Sequence, residues 1–190
     1  MAEDPPIVVG VSGASGAPIA VRVLRSLREA GVPVSLVVSS GAKAVLKEEC
    51  GMDAEALRPL VTHVYDEQDL GAPIASGSHR TRAMVVVPCS ANTAAKIALG
   101  LGDSLLTRAA QVHLKERRPL IVVPRETPLP TVLLRHLVTL SEYGAVVLIA
   151  SPAYYVHPKS IDDVTDYLAG KVLDHLGVPH ALYRGWRAAE

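Results

Sequence analysis

The sequence predicts an α/β protein in which helices cover both faces of a parallel β-sheet. Short runs of valine, isoleucine and leucine recur along the chain, and segments of helical periodicity follow them. Most of these runs end in small or hydroxyl residues, which is typical of the turn between a strand and the next helix. Repeated strand–turn–helix units form doubly wound sheets, whose ligands bind at the carboxyl ends of the strands.

The first unit consists of the apolar run 7–11, the turn S-G-A-S-G at 12–16, and a helix predicted over 18–30. Glycines let the backbone come close to a ligand, and the free N–H groups that begin a helix favour an anion. The spacing matches neither G-x-G-x-x-G nor a turn ending in G-K-[ST], the two common nucleotide motifs. The turn therefore indicates a phosphate-binding site, but it does not identify the phosphorylated ligand. An ordinary tight turn remains an alternative.

Further units follow the same pattern. Strands are predicted at 34–38, 84–88, 120–123 and 145–150, and helices at 42–50, 94–99, 103–116, 131–143 and 161–176. Residues 51–80 lack a clear period, and we expect an ordered surface loop over 69–78. No repeat or long linker divides the chain, so residues 1–190 are predicted to form one domain with short irregular termini.

Composition excludes several functional classes. Nineteen basic and nineteen acidic residues cancel among the 190, so no net field attracts nucleic acid or an anionic membrane. No apolar run approaches the roughly 20 residues that span a bilayer, and no signal pattern opens the chain. The cysteines, Cys50 and Cys89, are too few for a disulfide framework and lack the spacing of zinc ligands. We expect a soluble cytoplasmic protein without a metal site.

Polar residues follow each predicted strand. The carboxyl ends of parallel strands share one edge of the sheet, so residues far apart in sequence converge there. Hydroxyls, an amide, a guanidinium and helix N-termini suit a phosphorylated, planar ligand, which favours a nucleotide or flavin site. The residues concerned are Gly13, Ala14, Ser15, Ser39, Ser90, Ala91, Asn92, Thr93, Arg125, Glu126, Tyr154 and Tyr155.

An ordered set of motifs resembles the UbiX/Pad1 family of flavin prenyltransferases. The motifs are S-G-A-S-G at 12–16, P-C-S-A-N-T at 88–93, R-A-A at 108–110, L-K-E-R-R-P-L at 114–120, V-P-R-E-T-P at 123–128 and P-A-Y-Y at 152–155. K-E-R-R-P followed by P-R-E-T-P is the most specific pair, and the resemblance extends from residue 7 to about 179. It implies a flavodoxin-like, Rossmann-type three-layer αβα sandwich with a central, mainly parallel sheet, usually assembled into homododecamers.

The resemblance also implies an activity. Members of the family transfer a dimethylallyl group from dimethylallyl monophosphate to N5 and C6 of reduced FMN, without a metal. The product, prenylated FMN, serves UbiD-type decarboxylases, which are therefore the expected recipients here. Phosphate leaves the donor as an allylic cation develops, so cationic groups are needed around the phosphate.

Site residues are carried over from the family one position at a time. The resemblance places FMN against Gly13, Ala14, Ser15, Ser39, Ser90, Ala91, Asn92, Thr93 and Arg125, and the donor phosphate against Arg108, Lys115, Tyr155 and Lys171. It implies catalytic roles for Ser15, Glu49, Lys115 and Glu126, with Ser15 and Glu126 handling the proton at flavin C6. Glu49 matches an acidic residue near the donor that a neighbouring subunit could supply. Lys171 stands where many relatives have Arg, and so offers a point charge instead of a planar fork.

Some conspicuous residues have simpler interpretations. We expect Glu116, Arg117 and Arg118 at a solvated helix end, and Cys89 as a small buried side chain. The run D-D-V-T-D at 162–166 imitates the D-D-x-x-D motif of magnesium-dependent prenyl synthases, which are all-helical. Ser160 directly before these acids instead predicts an ordinary helix N-terminus.

Two other functions remain as alternatives. FMN-dependent cysteine decarboxylases share a motif very like 88–93, but they also need a histidine after the first helix and a later P-x-M-N segment. His63 and His79 lie in no matching context, and the chain contains no Met-Asn pair. The second alternative is a homologue that binds FMN without prenyl transfer, because binding motifs alone do not establish chemistry.

Overall fold

The computed structural model of the protein describes residues 4–187 and contains one six-stranded sheet in that range. Every neighbouring pair of strands is parallel, and the strand order is β3-β2-β1-β4-β5-β6. The strands are β1 (Ile7–Val11), β2 (Val34–Val38), β3 (His63–Tyr65), β4 (Ala83–Cys89), β5 (Leu120–Pro124) and β6 (Val146–Val147). This architecture confirms the predicted parallel α/β fold.

Helices connect the strands and cover both faces of the sheet. They are α1 (Ala17–Glu29), α2 (Ser40–Cys50), α3 (Ala91–Ala98), α4 (Leu105–Lys115), α5 (Thr131–Glu142) and α6 (Ile161–Leu176), with short 3₁₀ turns at Ala54–Leu60, Pro73–Ala75 and Tyr154–Val156. Each predicted helix is present, with ends shifted by less than one turn. Within residues 4–187, no helix has both the length and the apolar character needed to cross a membrane.

Two apolar layers pack against the sheet. Alternate strand residues such as Val9 and Val85 belong to one buried cluster with residues of α1, α2 and α6, whereas Val8 and Val86 belong to a second cluster with residues of α3, α4 and α5. Both faces are therefore buried, and the central strands are continuous apolar runs instead of alternating patterns. This explains why the sequence identified β1, β2, β4 and β5 without difficulty.

The two edge strands differ from the prediction. β3 was not predicted within residues 51–80, because it is three residues long, pairs only with β2 and begins at the exposed His63. β6 has two residues instead of the six predicted over 145–150. Beyond it, Leu148 and Ala150 still donate single hydrogen bonds to β5 carbonyls, at 2.9 and 3.1 Å. Edge strands are half covered, so their apolar signal is weak.

Candidate functional site

The carboxyl ends of β1 and β4 form the switch point of the sheet, where the chain leaves two neighbouring strands in opposite directions. Ser12, the residue after β1, joins these two ends: its Oγ donates to the Pro88 carbonyl at 2.9 Å and accepts from the Ser90 N–H at 2.7 Å. Ser12 is buried, so its hydroxyl is used for structure. A crevice opens beside this junction, as expected for a doubly wound sheet.

The crevice contains a cleft of about 340 Å³ with a mostly polar lining. Three helices begin in it, α2, α3 and α4, with the serines Ser39, Ser90 and Ser104 as N-caps. Their hydroxyls accept backbone N–H bonds at 3.2, 3.2 and 3.4 Å. The lining residues are Gly13, Ser39, Ser40, Gly41, Glu67, Ser90, Asn92, Thr93, Lys96, Ser104, Leu106 and Thr107.

Two glycines allow the first turn to approach α2. A methyl group at Gly13 would lie 3.1 Å from the Cα and carbonyl carbon of Gly41, closer than side-chain carbons normally come to backbone. The turn after β1 and the start of α2 therefore form one wall of the cleft. Ala14 next to this wall is buried, and Ala91 packs partly against the core at the start of α3.

A second polar cluster lies at the N-terminus of α1, beside this wall. Glu49 Oε2 accepts from the N–H groups of Gly16 and Ala17 at 2.8 and 2.9 Å, and Arg125 Nε donates to the Ser15 carbonyl at 3.3 Å. Partial burial acts to raise the pKa of Glu49, but hydrogen bonds from Ser15, Gly16 and Ala17 and the charge of Arg125 outweigh it and hold the pKa below its ordinary value. The carboxylate is therefore ionised at neutral pH.

Glu126 follows Arg125 directly, at the end of β5. Its side chain is exposed, and its Oε1 accepts from the Thr127 N–H at 3.1 Å. The structure thus brings Glu126 and the α1 cluster to the same edge of the sheet as the cleft, as the sequence predicts.

Arg108 and Lys115 lie outside the cleft of their own chain. Arg108 is one turn into α4, and its Nε donates to the Ala75 carbonyl at 3.0 Å. Lys115 ends α4, about 15 Å along the helix axis from Leu105, and forms an ion pair with Glu116. Lys115 therefore lies toward the amino ends of the strands, away from the cleft of its own chain.

Tyr155 and Lys171 belong to an aromatic cluster formed by the C-terminal segment. Tyr155 meets Trp186 edge-on at 5.2 Å between ring centroids, and a cavity of about 660 Å³ lies beside them. Lys171 Nζ is 5.9 Å from the centroid of Tyr183 and 3.2 Å from Asp174 Oδ2. Burial acts to lower the pKa of Lys171, but hydrogen bonds with Asp174 and Tyr183 and their charges raise it above its ordinary value.

Sequence analysis did not single out Glu67 and Lys96, which both line the cleft. Lys96 lies one helical turn after Asn92 and Thr93, so helical periodicity could have found it. Glu67 follows the short strand β3, where no pattern pointed to it. Trp186 and Tyr183 were likewise assigned to an irregular tail.

The expectation that Arg118 lies at a solvated helix end is wrong. Its guanidinium donates to the carbonyls of Gly77 and His79 at 2.6 and 2.7 Å, and to Thr81 Oγ1 at 3.2 Å. Thr81 in turn bonds the fully buried His113 at 2.9 Å. Arg118 therefore joins α4 to the loop before β4, while Glu116 and Arg117 are exposed as predicted.

The predicted helix N-terminus at Ser160 and the predicted burial of Cys89 are confirmed. Ser160 accepts from the Asp163 N–H at 3.1 Å and Asp163 accepts from the Ser160 N–H at 3.0 Å, which is a capping box at the start of α6. Asp166 pairs with Arg22 of α1. Cys89 is fully buried, which raises the pKa of its thiol to about 12. Among residues 4–187, no three His, Cys, Asp or Glu side chains cluster in a way that could hold a metal.

Comparisons with known proteins agree with this geometry. A family model described as Flavoprotein matches residues 1–173. Flavin prenyltransferase UbiX of Thermoplasma acidophilum is 50% identical over 180 residues, which cover 95% of this chain and 99% of that protein.

Two solved structures are similar along almost the entire chain. AnUbiX (PadA1), solved in complex with FMN and dimethylallyl pyrophosphate, is 39% identical with a TM-score of 0.95, covering 99% of this chain and 100% of that one. A dodecameric FMN-dependent UbiX-like decarboxylase from Escherichia coli O157:H7 is 40% identical with a TM-score of 0.94, covering 96% of this chain and 100% of that one.

Proposed function

Because the chain belongs to the UbiX family of flavin prenyltransferases, we propose that it transfers a dimethylallyl group from dimethylallyl monophosphate to N5 and C6 of reduced FMN. The product is prenylated FMN, and a UbiD-type decarboxylase is the proposed recipient. The complex of AnUbiX with FMN and dimethylallyl pyrophosphate supports an allylic phosphate as donor. Residues 1–190 act as one domain in this proposal, without a metal and in the cytoplasm.

One observation carries the proposal: residues that follow three different strands, β1, β2 and β4, line one cleft. Gly13, Ser39, Ser90, Asn92 and Thr93 line it together, and they are five of the nine residues predicted to hold FMN. The donor set fits this substrate, since hydroxyls and free backbone N–H groups bind phosphate and ribityl oxygens. A side chain at Gly13 would meet the Gly41 backbone, so glycine at this position keeps the turn and α2 together as one wall of the cleft.

The α1 cluster and the neighbouring Glu126 supply the proposed proton carriers and a positive charge. Arg125 sits against the Ser15 backbone, so its charge lies near the flavin edge. Ser15 and Glu126 are the proposed proton carriers when C6 loses its hydrogen. Glu126 is exposed, and within residues 4–187 its carboxylate accepts a hydrogen bond only from the Thr127 N–H, so it is free to turn toward a bound flavin.

The donor phosphate is proposed to bind Tyr155 and Lys171. The raised pKa of Lys171 keeps its ammonium charged at neutral pH, as a phosphate partner requires. Departure of phosphate breaks the C–O bond of the donor, and the bond electrons leave with the phosphate. Cations around the phosphate oxygens stabilise that charge as it develops.

Lys115 can reach a flavin cleft only in an assembly. It lies about a helix length from the cleft of its own chain, so we propose that it serves a neighbouring subunit. The dodecameric relative supports an assembly of this kind. Glu49, in contrast, already contacts the α1 N-terminus of its own chain and needs no neighbour for that contact.

The test is an anaerobic incubation of the purified protein with reduced FMN and dimethylallyl monophosphate, followed by the mass of the extracted flavin. We expect a flavin heavier by one C5 prenyl unit. This heavier flavin should be absent when the donor is omitted and in Glu126→Gln. It should still form in the control Glu142→Gln, which changes an exposed carboxylate at the end of α5. Unchanged FMN in the wild-type protein would contradict the proposal.

The two alternatives are distinguished by the same assay. An FMN binder without turnover would retain FMN of unchanged mass. A cysteine decarboxylase would require a histidine beside the flavin, and no histidine is among the residues that line the cleft. Release of CO₂ from a C-terminal cysteine peptide would favour that alternative.

A further inference from the structure

Two charged side chains line the flavin cleft without belonging to the predicted FMN set. Glu67 Oε2 accepts from the N–H of Ser40, the first residue of α2, at 2.8 Å. Lys96 on α3 donates from Nζ to Asp103 Oδ2 at 2.7 Å. Each charge is thus occupied by a partner inside the protein.

Both side chains can give up their present partners for a ligand. The Glu67 backbone is held, since its carbonyl accepts from the Leu105 N–H at 2.8 Å. Its side chain, however, also borders a second surface pocket that contains Lys43 and Arg58. Lys43 and Arg58 are therefore the cations available to the Glu67 carboxylate on that side when it leaves α2. The Lys96–Asp103 pair is partly exposed, so its contact is also replaceable.

In oxidised FMN the phosphate carries the negative charge, about two units at neutral pH. In a cleft with one lysine and one glutamate, the phosphate is attracted by the first and must compete with the second for the N–H of Ser40. Hydroxyls of Ser39, Ser90 and Thr93 supply the remaining donors.

We propose that Glu67 and Lys96 together set the affinity of this cleft for the FMN phosphate. The phosphate displaces the Glu67 carboxylate from the start of α2, and Lys96 turns from Asp103 to the phosphate. Glu67 acts as an internal competitor that weakens binding, which aids release of the phosphorylated product to its recipient. Lys96 acts in the opposite direction. This inference rests on the proposed function, because it takes FMN as the ligand of the cleft.

The experiment compares FMN with riboflavin, which lacks only the phosphate. Dissociation constants are measured by flavin fluorescence for the full-length wild-type protein, Glu67→Gln and Lys96→Met. We expect Lys96→Met to weaken FMN about tenfold or more, and Glu67→Gln to tighten it about two- to fivefold, with riboflavin unchanged. Inorganic phosphate should compete with FMN, and less well in Lys96→Met.

Matched controls are Lys47→Met and Glu48→Gln, which change exposed charges of α2 outside the cleft. Both should bind FMN like the wild type, and thermal unfolding verifies that all variants fold. Equal effects on FMN and riboflavin, or weaker FMN binding in Glu67→Gln, would overturn the inference. Failure of the wild-type protein to bind either flavin would instead overturn the proposed function.

Discussion

At the scale of single residues, Glu49 and His113 are each held by hydrogen bonds with backbone groups. Glu49 supplies the acceptor that α1 lacks, since Gly16, the N-cap residue of α1, has no side chain to accept from the first N–H groups. His113 is fully buried, with Nδ1 2.8 Å from the Ala109 carbonyl and Nε2 2.9 Å from Thr81 Oγ1. The network is consistent with a neutral ring that donates to Ala109 and accepts from Thr81.

Glu49→Gln should lower the free energy of unfolding by about 1 kcal/mol at neutral pH, because it removes a negative charge from the start of α1. The folded pKa of Glu49 lies below its ordinary value of 4.5, so this stabilisation is present above pH 4.5 and is lost as pH falls through the folded pKa. Urea unfolding of the wild type and Glu49→Gln at pH 7, 5.5 and 4 measures the difference in free energy of unfolding. The exposed neighbour Glu48→Gln serves as control, and a difference that stays constant down to pH 4 would contradict the prediction.

His113 should make the protein less stable in mild acid. Burial, assisted by the charge of Arg118, lowers the pKa of His113 despite the Ala109 carbonyl. The unfolded chain therefore binds the proton first, and stability falls below pH 6.5 by at most about 1.4 kcal/mol per pH unit for this group. We expect this slope in the wild type and in the exposed variant His175→Gln, but a smaller slope in His113→Gln. Identical slopes in all three would show that His113 does not contribute.

At the scale of elements, the loop before β4 depends on α4 and on the segment that follows it. Arg108 holds the Ala75 carbonyl, and Arg118 holds those of Gly77 and His79. This loop, which includes the short 3₁₀ turn Pro73–Ala75, is thus anchored by two guanidinium groups. In the K-E-R-R-P motif, Arg118 therefore has a structural role, whereas Lys115 is the proposed phosphate ligand.

Arg118→Met should free this loop from α4. Loss of charge-assisted hydrogen bonds to two carbonyls is expected to destabilise the protein by about 2 kcal/mol. Limited trypsin digestion should then cut faster at Arg80 and Arg82, which mass spectrometry of the fragments detects. Arg117→Met replaces an exposed neighbour and should leave stability and digestion unchanged. If Arg118→Met resists trypsin as well as the wild type does, the proposed anchoring role is excluded.

At the scale of the whole molecule, apolar surface and the distribution of candidate residues both favour an assembly. Val132 and Val138 on α5 are 59% and 57% exposed, and Ile161 at the start of α6 is 77% exposed. Lys115 lies far from the cleft of its own chain. We therefore expect a particle of about 240 kDa for twelve chains of 20.1 kDa each, measurable by light scattering.

Subunit mixing tests whether neighbouring chains share a site. Lys115→Met and Glu126→Gln should each be inactive alone. Co-expressed in equal amounts, they should recover about a quarter of wild-type activity if Lys115 acts on a neighbouring chain, because that fraction of sites has both native residues. Ser15→Ala with Glu126→Gln is the control and should recover nothing, since both groups lie in one chain. No recovery in the first pair would place Lys115 in its own subunit's site.

The sequence by itself determined the central strands, the helices, the family and the polar turns at the strand ends. Continuous apolar runs mark strands buried on both faces, and small hydroxyl residues after them mark helix starts in a shared crevice. Ser39 and Ser90 lie in turns predicted for this reason, and the structure shows that their hydroxyls cap α2 and α3.

Only the tertiary structure decided which side chains meet. Glu67 reaches the start of α2 from an edge strand with almost no apolar signal, and Arg118 turns from an apparent helix end to loop carbonyls about 40 residues away. Lys115 shares a motif with the site but lies at the other end of α4. Such contacts depend on the direction and packing of whole elements, which local sequence patterns do not encode.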